Sequence, residues 1–135
     1  MSKKVVRGPW QKIPELVYSL PPEKPIVWVG TALSELRGLP EEARRRLGYQ
    51  LHRLQLGFEP VDWKPVASVG VGVYELRIHE PGEYRVFSVA RFPEALYVLH
   101  SLEKKERRTP RAALDLVRRR YRGVMQRRTA QETRS

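Results

Sequence analysis

The spacing of apolar residues predicts a strand and then a short helix near the start of the chain. "IVWVG", residues 26–30, is an apolar, largely β-branched run between Pro25 and a glycine, which is typical of a buried strand. Thr31 opens the next stretch, "TALSELRGL", as a plausible N-cap, and Gly38 closes it. We therefore predict a short helix directly after the first strand.

The stretch "PEEARRRLGYQLHRLQLG", residues 40–57, has the clearest helical pattern. Pro40 lies near its first position, two glutamates fill its first turn, and Gly57 ends it. Arginines occupy the faces that the apolar residues leave free. The apolar stripe consists of Ala43, Leu47, Leu51 and Leu54.

Beyond Gly57 the hydrophobic period changes from helical to two. Glycine and proline cluster through residues 57–72, and three β runs follow: "VYELRIH" (73–79), "YRVFSVA" (84–90) and "ALYVLHSL" (95–102). The turn "EPGE" joins the first two runs. These runs predict neighbouring antiparallel strands.

The last part of the chain predicts one more helix. Thr109 is a plausible N-cap and Pro110 fits the first helical position. From about Gln126 we expect the helix to fray. Its apolar stripe consists of Ala113, Val117, Tyr121 and Val124.

Short turns rather than long crossovers connect the strands, so the predicted fold is α+β. We expect an antiparallel sheet of about four strands, two helices in the N-terminal half and one C-terminal helix. The domain would span residues 26–125, with an N-terminal arm of residues 1–25 and a frayed basic tail of residues 126–135.

The register of the two central strands stays open at this stage. If residues 80–83 form a four-residue loop, His79 pairs with Tyr84, and Arg77 and Arg85 face opposite sides of the sheet. A five-residue loop or a bulge places both arginines on one face.

The net charge of the chain and its distribution narrow the classes of binding partner that we expect. The chain has 26 lysines and arginines against 15 acidic residues, a net charge of +11. From Lys104 onward there are 12 basic and 3 acidic residues, so +9 of the +11 lies there. Such a block usually meets a phosphate backbone or an acidic protein, although a solubilising tail has the same composition. The expected nucleic-acid-binding residues are Arg107, Arg108, Arg111, Arg118 and Arg119.

Composition also bears on where the protein works. The chain has no cysteine, no secretory signal and no apolar stretch approaching the ~20 residues of a membrane span. We therefore expect a cytoplasmic protein without a membrane partner.

Several enzyme classes lack their signatures in this sequence. There is no glycine-rich phosphate loop followed by lysine and serine or threonine, and no carboxylate cluster for a two-metal nuclease. His52, His79 and His100 fall in separate elements without metal-site spacing. We expect neither a metal nor another cofactor.

Metal-independent RNA cleavage remains compatible with these residues, because the nucleophile is the 2′-hydroxyl of the RNA itself. The protein must accept that proton, stabilise charge on the phosphorus centre and help the 5′-oxygen leave. Arginine suits phosphate, and a lysine or histidine with a lowered pKa can move protons. Singly, each candidate also fits a surface ion pair or a core position, but together they indicate an anion site. The candidates are Arg77, Arg85, His100, Lys104 and Lys105.

Six segments carry a family resemblance: "KPIVWVG", "LPEEARRRLGYQLHRLQLG", "WKPVASVGVGVYELRI", "YRVFSVARF", "YVLHSLEKK" and "RTPRAALDLVRRR". In order and spacing, over about residues 25–122, they resemble the phage-related branch of the RelE/HigB-like toxins of type II toxin–antitoxin modules. The resemblance implies a small α+β fold and a ribosome-dependent mRNA interferase, which cuts the codon in the ribosomal A site. It also implies that a cognate helix-turn-helix antitoxin holds the toxin inactive.

The resemblance further implies roles for individual residues. Arg85 would contact the phosphate and Arg77 would support it. The residues after the last strand would stabilise charge or donate a proton, and a histidine or lysine would accept one. Lys104 or Lys105 would be the residue that stabilises charge or donates a proton. His100 or Lys64 would be the residue that accepts one.

One segment departs from the branch, which usually reads Lys-Pro-Leu-Lys-Gly before the "YELR" strand. Here "KPVAS" keeps Lys64 and Pro65 but has Ala67 and Ser68 at the last two positions. A lysine in this region helps the chemistry of related toxins. The alternative is therefore a non-catalytic basic protein on the same fold, which inhibits a ribosome, nucleic acid or host protein. A gyrase-directed toxin fits the basic run less well.

Overall fold

The structure, a computed structural model, describes residues 23–134, so the predicted arm lies almost wholly outside the described residues. Within them the elements are β1 (Ile26–Trp28), α1 (Ala32–Arg37), α2 (Glu41–Gln55), β2 (Trp63–Pro65), β3 (Val73–Ile78), β4 (Tyr84–Val89), β5 (Leu96–Glu103) and α3 (Arg111–Arg134). The predicted α+β class is confirmed.

The sheet has the strand order β1-β5-β4-β3-β2. Two features of the predicted sheet are wrong: it has five strands rather than about four, and it is mixed rather than antiparallel, because β1 runs parallel to β5. The missed strand, β2, is three residues long and ends in Pro65. A proline is tolerated on an edge strand, but so short a run gives no periodic signal.

Helices cover both faces of the sheet. Leu47 and Leu51 of α2 pack with Leu76 and Val86 in one cluster, which α1 also joins. On the other face, α3 contributes Val117 to a cluster around Phe87 and Leu99. The predicted stripe of α2 is confirmed, since its four residues are all buried. Covering both faces explains why the central strand β4 is buried at every position.

The ends of α3 differ from the prediction. The helix begins at Arg111, and the hydroxyl of Thr109 donates to Glu75 Oε2 at 3.3 Å rather than capping it. At the other end the helix continues beyond Gln126 to Arg134. Arg128 anchors this part, because it pairs with Glu94 at 2.7 Å and stacks on Phe92, 3.7 Å from the ring centroid.

A partly buried ion-pair cluster fastens α3 to α1 across the edge of the sheet. Glu35 of α1 pairs with Arg120 of α3 at 2.9 Å and with His100 of β5 at 2.7 Å. Burial alone would raise the pKa of Glu35, but hydrogen bonds from Arg120, His100 and Thr31 outweigh it and lower that pKa to about 2.

Replacing Glu35 by glutamine is expected to lower the free energy of unfolding at neutral pH. Because the folded-state pKa is depressed, the wild-type advantage is fully present above about 4.5 and is lost as pH falls toward about 2. Urea unfolding of both proteins at several pH values measures this. A stability difference that stays constant down to the lowest pH would contradict the assignment.

Candidate functional site

A cleft of about 440 Å³ lies on the α3 face of the sheet, between β2, β3, β4 and the start of α3. Its lining is dominated by cationic side chains from four separate parts of the chain. Glu75 is the one carboxylate among these residues. The basic lining residues are Lys64, Arg77, Arg85, Lys104, Arg107 and Arg108.

The sequence left the register of β3 and β4 open, and the structure has the register with a five-residue loop. Ile78 lies opposite Tyr84, so residues 79–83 form the connection and Arg77 lies directly opposite Arg85. Both arginines therefore point to the same face. Like charges in this position are destabilising, so an arrangement that keeps them needs a compensating anion.

The positive charge of Arg85 is compensated by carboxylates of the protein itself. Its side chain is only 3% exposed, and Nε donates to Glu75 Oε2 at 3.1 Å. Nη2 donates to Glu83 Oε1 at 2.9 Å, and Nη1 donates to the carbonyl of Tyr84 at 3.0 Å. Arg85 lines the cleft as a fully engaged cation that fixes the position of Glu75.

Arg77 is the opposite case. Its Nε atom is buried without a hydrogen-bond partner, and its guanidinium forms no ion pair with any residue in the range 23–134. Arginine presents five donors in a planar fork that matches a phosphate. Of the two facing arginines, Arg77 is therefore the one with donors free for a ligand.

Glu75 is the functional candidate that sequence reasoning missed. The residue is 4% exposed, and its Oε2 accepts from Arg85 and Thr109. Its Oε1 faces Lys64 Nζ at 3.7 Å across the β2–β3 pair. The alternation of β3 does place Glu75 on the same face as Arg77, but it does not show that α3 covers that face.

A chain of polar contacts continues from Arg85 to the surface. Glu83 accepts from Arg85 and also contacts His79 Nδ1 at 2.8 Å, and His79 Nε2 contacts Asp62 Oδ2 at 2.7 Å. The hydrogen bond with Glu83, and then that with Asp62, raise the pKa of His79. The contact with His79, followed by that with Arg85, lowers the pKa of Glu83. These contacts hold the β3–β4 loop against the segment that precedes β2.

The segment between β2 and β3 forms one wall of the cleft and packs tightly on α3. A Cβ on Gly70 would lie 2.4 Å from the ring of Tyr121, so only glycine allows this approach. Arg118 Nε also donates to the carbonyl of Ser68 at 3.4 Å. Ala67 is exposed within this wall and lines the cleft.

His100 does not join the cleft. It lies at the edge of β5 that faces α1, where its Nδ1 contacts Glu35. The sequence was compatible with two roles for His100, a proton acceptor or a half-buried core histidine. The structure favours the second role, because the side chain is 13% exposed and takes part in the Glu35–Arg120 cluster.

The remaining predicted residues continue the basic surface beyond the cleft. Arg111 and Arg118 line an adjoining cavity of about 670 Å³, which shares Arg108 with the cleft. Arg118 is partly neutralised there by Asp115 at 2.9 Å. The other two, Lys105 and Arg119, are exposed and line neither cavity.

This arrangement suits an anionic ligand with an exchangeable proton. The cleft offers free cationic donors next to one fixed carboxylate, which is a combination that can bind a phosphate and accept a proton. Within residues 23–134 no group of histidine, aspartate and glutamate side chains is arranged to hold a metal ion. The helices in the same range include none that is long and apolar enough to span a membrane.

Comparison with known proteins adds one match. Residues 34–122 of the 135 match a family described as phage derived protein Gp49-like (DUF891). A search of curated proteins finds no match to the chain. The matched span runs from α1 to the middle of α3, so it includes every residue that lines the cleft.

Proposed function

Because the chain belongs to the phage-derived Gp49-like family, a toxin-like family related to the RelE/ParE-type toxins, we propose that it is the toxin of a toxin–antitoxin module. We further propose that it inhibits translation as a ribosome-dependent mRNA interferase of the RelE/HigB type. Its working place would be the cytoplasm, and its partners the ribosome, mRNA and a helix-turn-helix antitoxin.

The observation that carries this proposal is Arg77, an arginine without a partner in a cleft whose charged lining residues are all cationic except Glu75. A protein gains nothing in stability from two directly opposed arginines. A polyanion that enters the cleft would supply the missing countercharge. An RNA backbone would do so at several positions, since Arg107 and Arg108 lie on the same rim.

The chemistry would proceed by attack of the RNA 2′-oxygen on the adjacent phosphorus. Glu75 Oε1 would accept the 2′-hydroxyl proton, either alone or assisted by Lys64, whose Nζ lies 3.7 Å from that oxygen. Arg77 would stabilise the extra negative charge on the phosphoryl oxygens, and Lys104 would protonate the departing 5′-oxygen. The P–O5′ bond breaks, and the products are a 2′,3′-cyclic phosphate and a 5′-hydroxyl. Arg85 would act by holding Glu75 rather than by touching the phosphate.

Cleavage of mRNA on programmed ribosomes tests the proposal. Wild-type protein is expected to cut the mRNA in the A site and to leave a 2′,3′-cyclic phosphate, which is the chemical record of 2′-hydroxyl attack. Fragments that end in a 3′-hydroxyl would indicate water as the nucleophile and would refute this mechanism.

The alternative, a non-catalytic inhibitor on the same fold, is favoured by one observation. Arg85, which the family resemblance makes the phosphate contact, has its donors occupied by protein carboxylates and a carbonyl. Salt-sensitive ribosome binding without any cleavage would support this alternative over the interferase.

Introducing a lysine at position 67 is expected to strengthen RNA binding. Ala67 is exposed and lines the cleft, so Ala67→Lys adds one cation where a phosphate would pass. We expect affinity for a single-stranded oligoribonucleotide to rise several-fold at low salt, and the slope of log K against log salt to steepen by about 0.7.

Fluorescence titration at several salt concentrations measures both quantities. Ala130→Lys, an exposed position near the far end of α3, is the control for added charge alone. Equal gains from both variants would show that the cleft has no special part in binding.

A further inference from the structure

The chain enters the domain at Lys24, which is fastened to the C-terminal end of α2. The backbone N–H of Lys24 donates to the carbonyl of Gln55 at 3.0 Å, and its carbonyl accepts from Gln55 Nε2 at 2.7 Å. Lys24 Nζ also donates to the carbonyl of Ala90. The N-terminal arm is therefore tethered at a fixed point beside the end of α2.

A cavity of about 290 Å³ lies at this fixed point. Lys24 lines it together with side chains that include Leu54, Phe58 and Tyr74. Phe58 is 52% exposed, so its ring forms an apolar rim that is open to solvent. The chain thus enters the domain directly beside an apolar opening.

Apolar surface continues from this cavity along α2. Arg53 stacks on Phe58, 5.6 Å from the ring centroid, and Tyr49 lies one turn before Arg53 on the same side of the helix. Tyr49 and Val61 line a further cavity of about 750 Å³ beside α2. Tyr49, Phe58 and Val61 are three of the five large apolar side chains that stay exposed within residues 23–134. We term these three side chains the α2 strip.

The charged residues beside the α2 strip are largely neutralised within the domain. Arg45 and Arg46 both pair with Glu42, and Asp62 contacts His79 at 2.7 Å. The α2 strip therefore differs from the cationic cleft on the α3 face of the sheet. Its exposed apolar side chains suit a partner that brings apolar side chains rather than charge.

The N-terminal arm carries an apolar pattern of this kind, in residues that lie outside the described part of the chain. Four of its residues have the i, i+3, i+4, i+7 spacing of one helical stripe: Ile13, Leu16, Val17 and Leu20. Pro21 ends the pattern. A stretch this short is marginal as an isolated helix in water, where roughly 12–15 residues are needed. The stripe therefore requires an apolar surface on which to pack.

The lengths match as well. Leu20 is four residues from Lys24, so their Cα atoms lie at most about 14 Å apart. From Tyr49 to Gln55, α2 rises about 9 Å, and a helical stripe from Ile13 to Leu20 would cover about 10 Å. The chain's own arm is thus of the right length and is tethered at the right end of the α2 strip.

We propose that the N-terminal arm docks on the α2 strip, with its apolar stripe over Tyr49, Phe58 and Val61. Because the arm belongs to the same chain, its effective concentration at the strip is about millimolar, so even a weak apolar contact keeps it bound. The docked arm covers the α2 face and leaves the cleft on the α3 face open. The proposal does not depend on the proposed function.

Thiol protection in the full-length chain tests this docking. Because the chain has no cysteine, Val61→Cys introduces a single thiol into the α2 strip. A thiol reagent is expected to alkylate this cysteine several-fold more slowly when the arm is intact than when Leu16→Ser and Leu20→Ser are also present. Ala130→Cys, an exposed position near the far end of α3, should react at the same rate with both versions of the arm.

Two controls accompany the stripe variant. Lys12→Ser with Glu15→Ser changes the arm without changing its apolar stripe or net charge, and it should keep the protection of Val61→Cys. Circular dichroism checks that the stripe variant is folded, and Leu16→Ala with Leu20→Ala replaces it if it is not.

Three results would overturn the docking. The first is equal alkylation of Val61→Cys with the intact and the altered stripe. The second is the same difference in rate at Ala130→Cys, which would show a general effect of the arm on reactivity. The third is protection that disappears on dilution, which would assign the α2 strip to a second copy of the chain. None of these measurements uses RNA, so their outcome is independent of whether the protein cleaves mRNA.

Discussion

Replacing Arg77 by alanine is expected to slow RNA cleavage by about 10²-fold or more while the fold stays intact. Arg77 offers an unpartnered guanidinium directly opposite Arg85 in the cleft, and removing one donor that stabilises transition-state charge typically costs this much. The free energy of unfolding of the variant should lie within about 1 kcal/mol of the wild-type value, because the change also removes a like charge opposite Arg85.

Single-turnover cleavage on programmed ribosomes and urea unfolding together check the Arg77 prediction. Arg77→Lys keeps the charge but not the planar fork, and it should recover only part of the rate. Arg44→Ala removes one exposed arginine of α2 that does not line the cleft, so it controls for net charge. A rate loss of the same size in Arg44→Ala would assign the effect to general electrostatics.

Replacing Arg85 by alanine is expected to act first on stability. The substitution leaves Glu75 buried without its main partner and leaves Glu83 without its contact from β4. Breaking a buried pair by removing one member costs roughly 3–5 kcal/mol. Thermal and urea unfolding should both show a loss of this order, and weaker activity would follow from it.

A double variant separates the two possible roles of Arg85. Replacing the pair together, as Arg85→Met with Glu75→Leu, removes both charges and should recover much of the stability, although Glu83 then keeps only its contact with His79. If Arg85→Ala instead keeps its full stability and loses cleavage, then Arg85 contacts the phosphate itself. That outcome would restore the role that the family resemblance assigns to it.

Local sequence patterns determined the elements of this protein and the kinds of residue at its site. The period of 3.6 in α2 and the period of two in β3–β5 are properties of neighbouring residues, and so are the glycine and proline signals between them. The basic run after β5 and the arginines of β3 and β4 were readable in the same way. All of these depend on residues a few positions apart.

Only the tertiary structure decided which of these residues meet. A five-residue connection, rather than a four-residue one, turned Arg77 and Arg85 to one face, and a one-residue difference in register is invisible in either strand alone. The parallel pairing of β1 with β5 and the short edge strand β2 likewise depend on partners far along the chain. Local patterns carry no information about such partners.

The covering of the second face of the sheet by α3 had the largest consequence for the site. It buried Glu75 and Arg85 together and so turned a predicted phosphate ligand into a structural partner, which left Arg77 free. The same packing drew His100 into the Glu35–Arg120 cluster and away from the cleft. The sequence determined the charge of each side chain and its alternation along a strand, whereas burial decided which charges are neutralised within the protein, because a desolvated charge requires a partner and an exposed one does not.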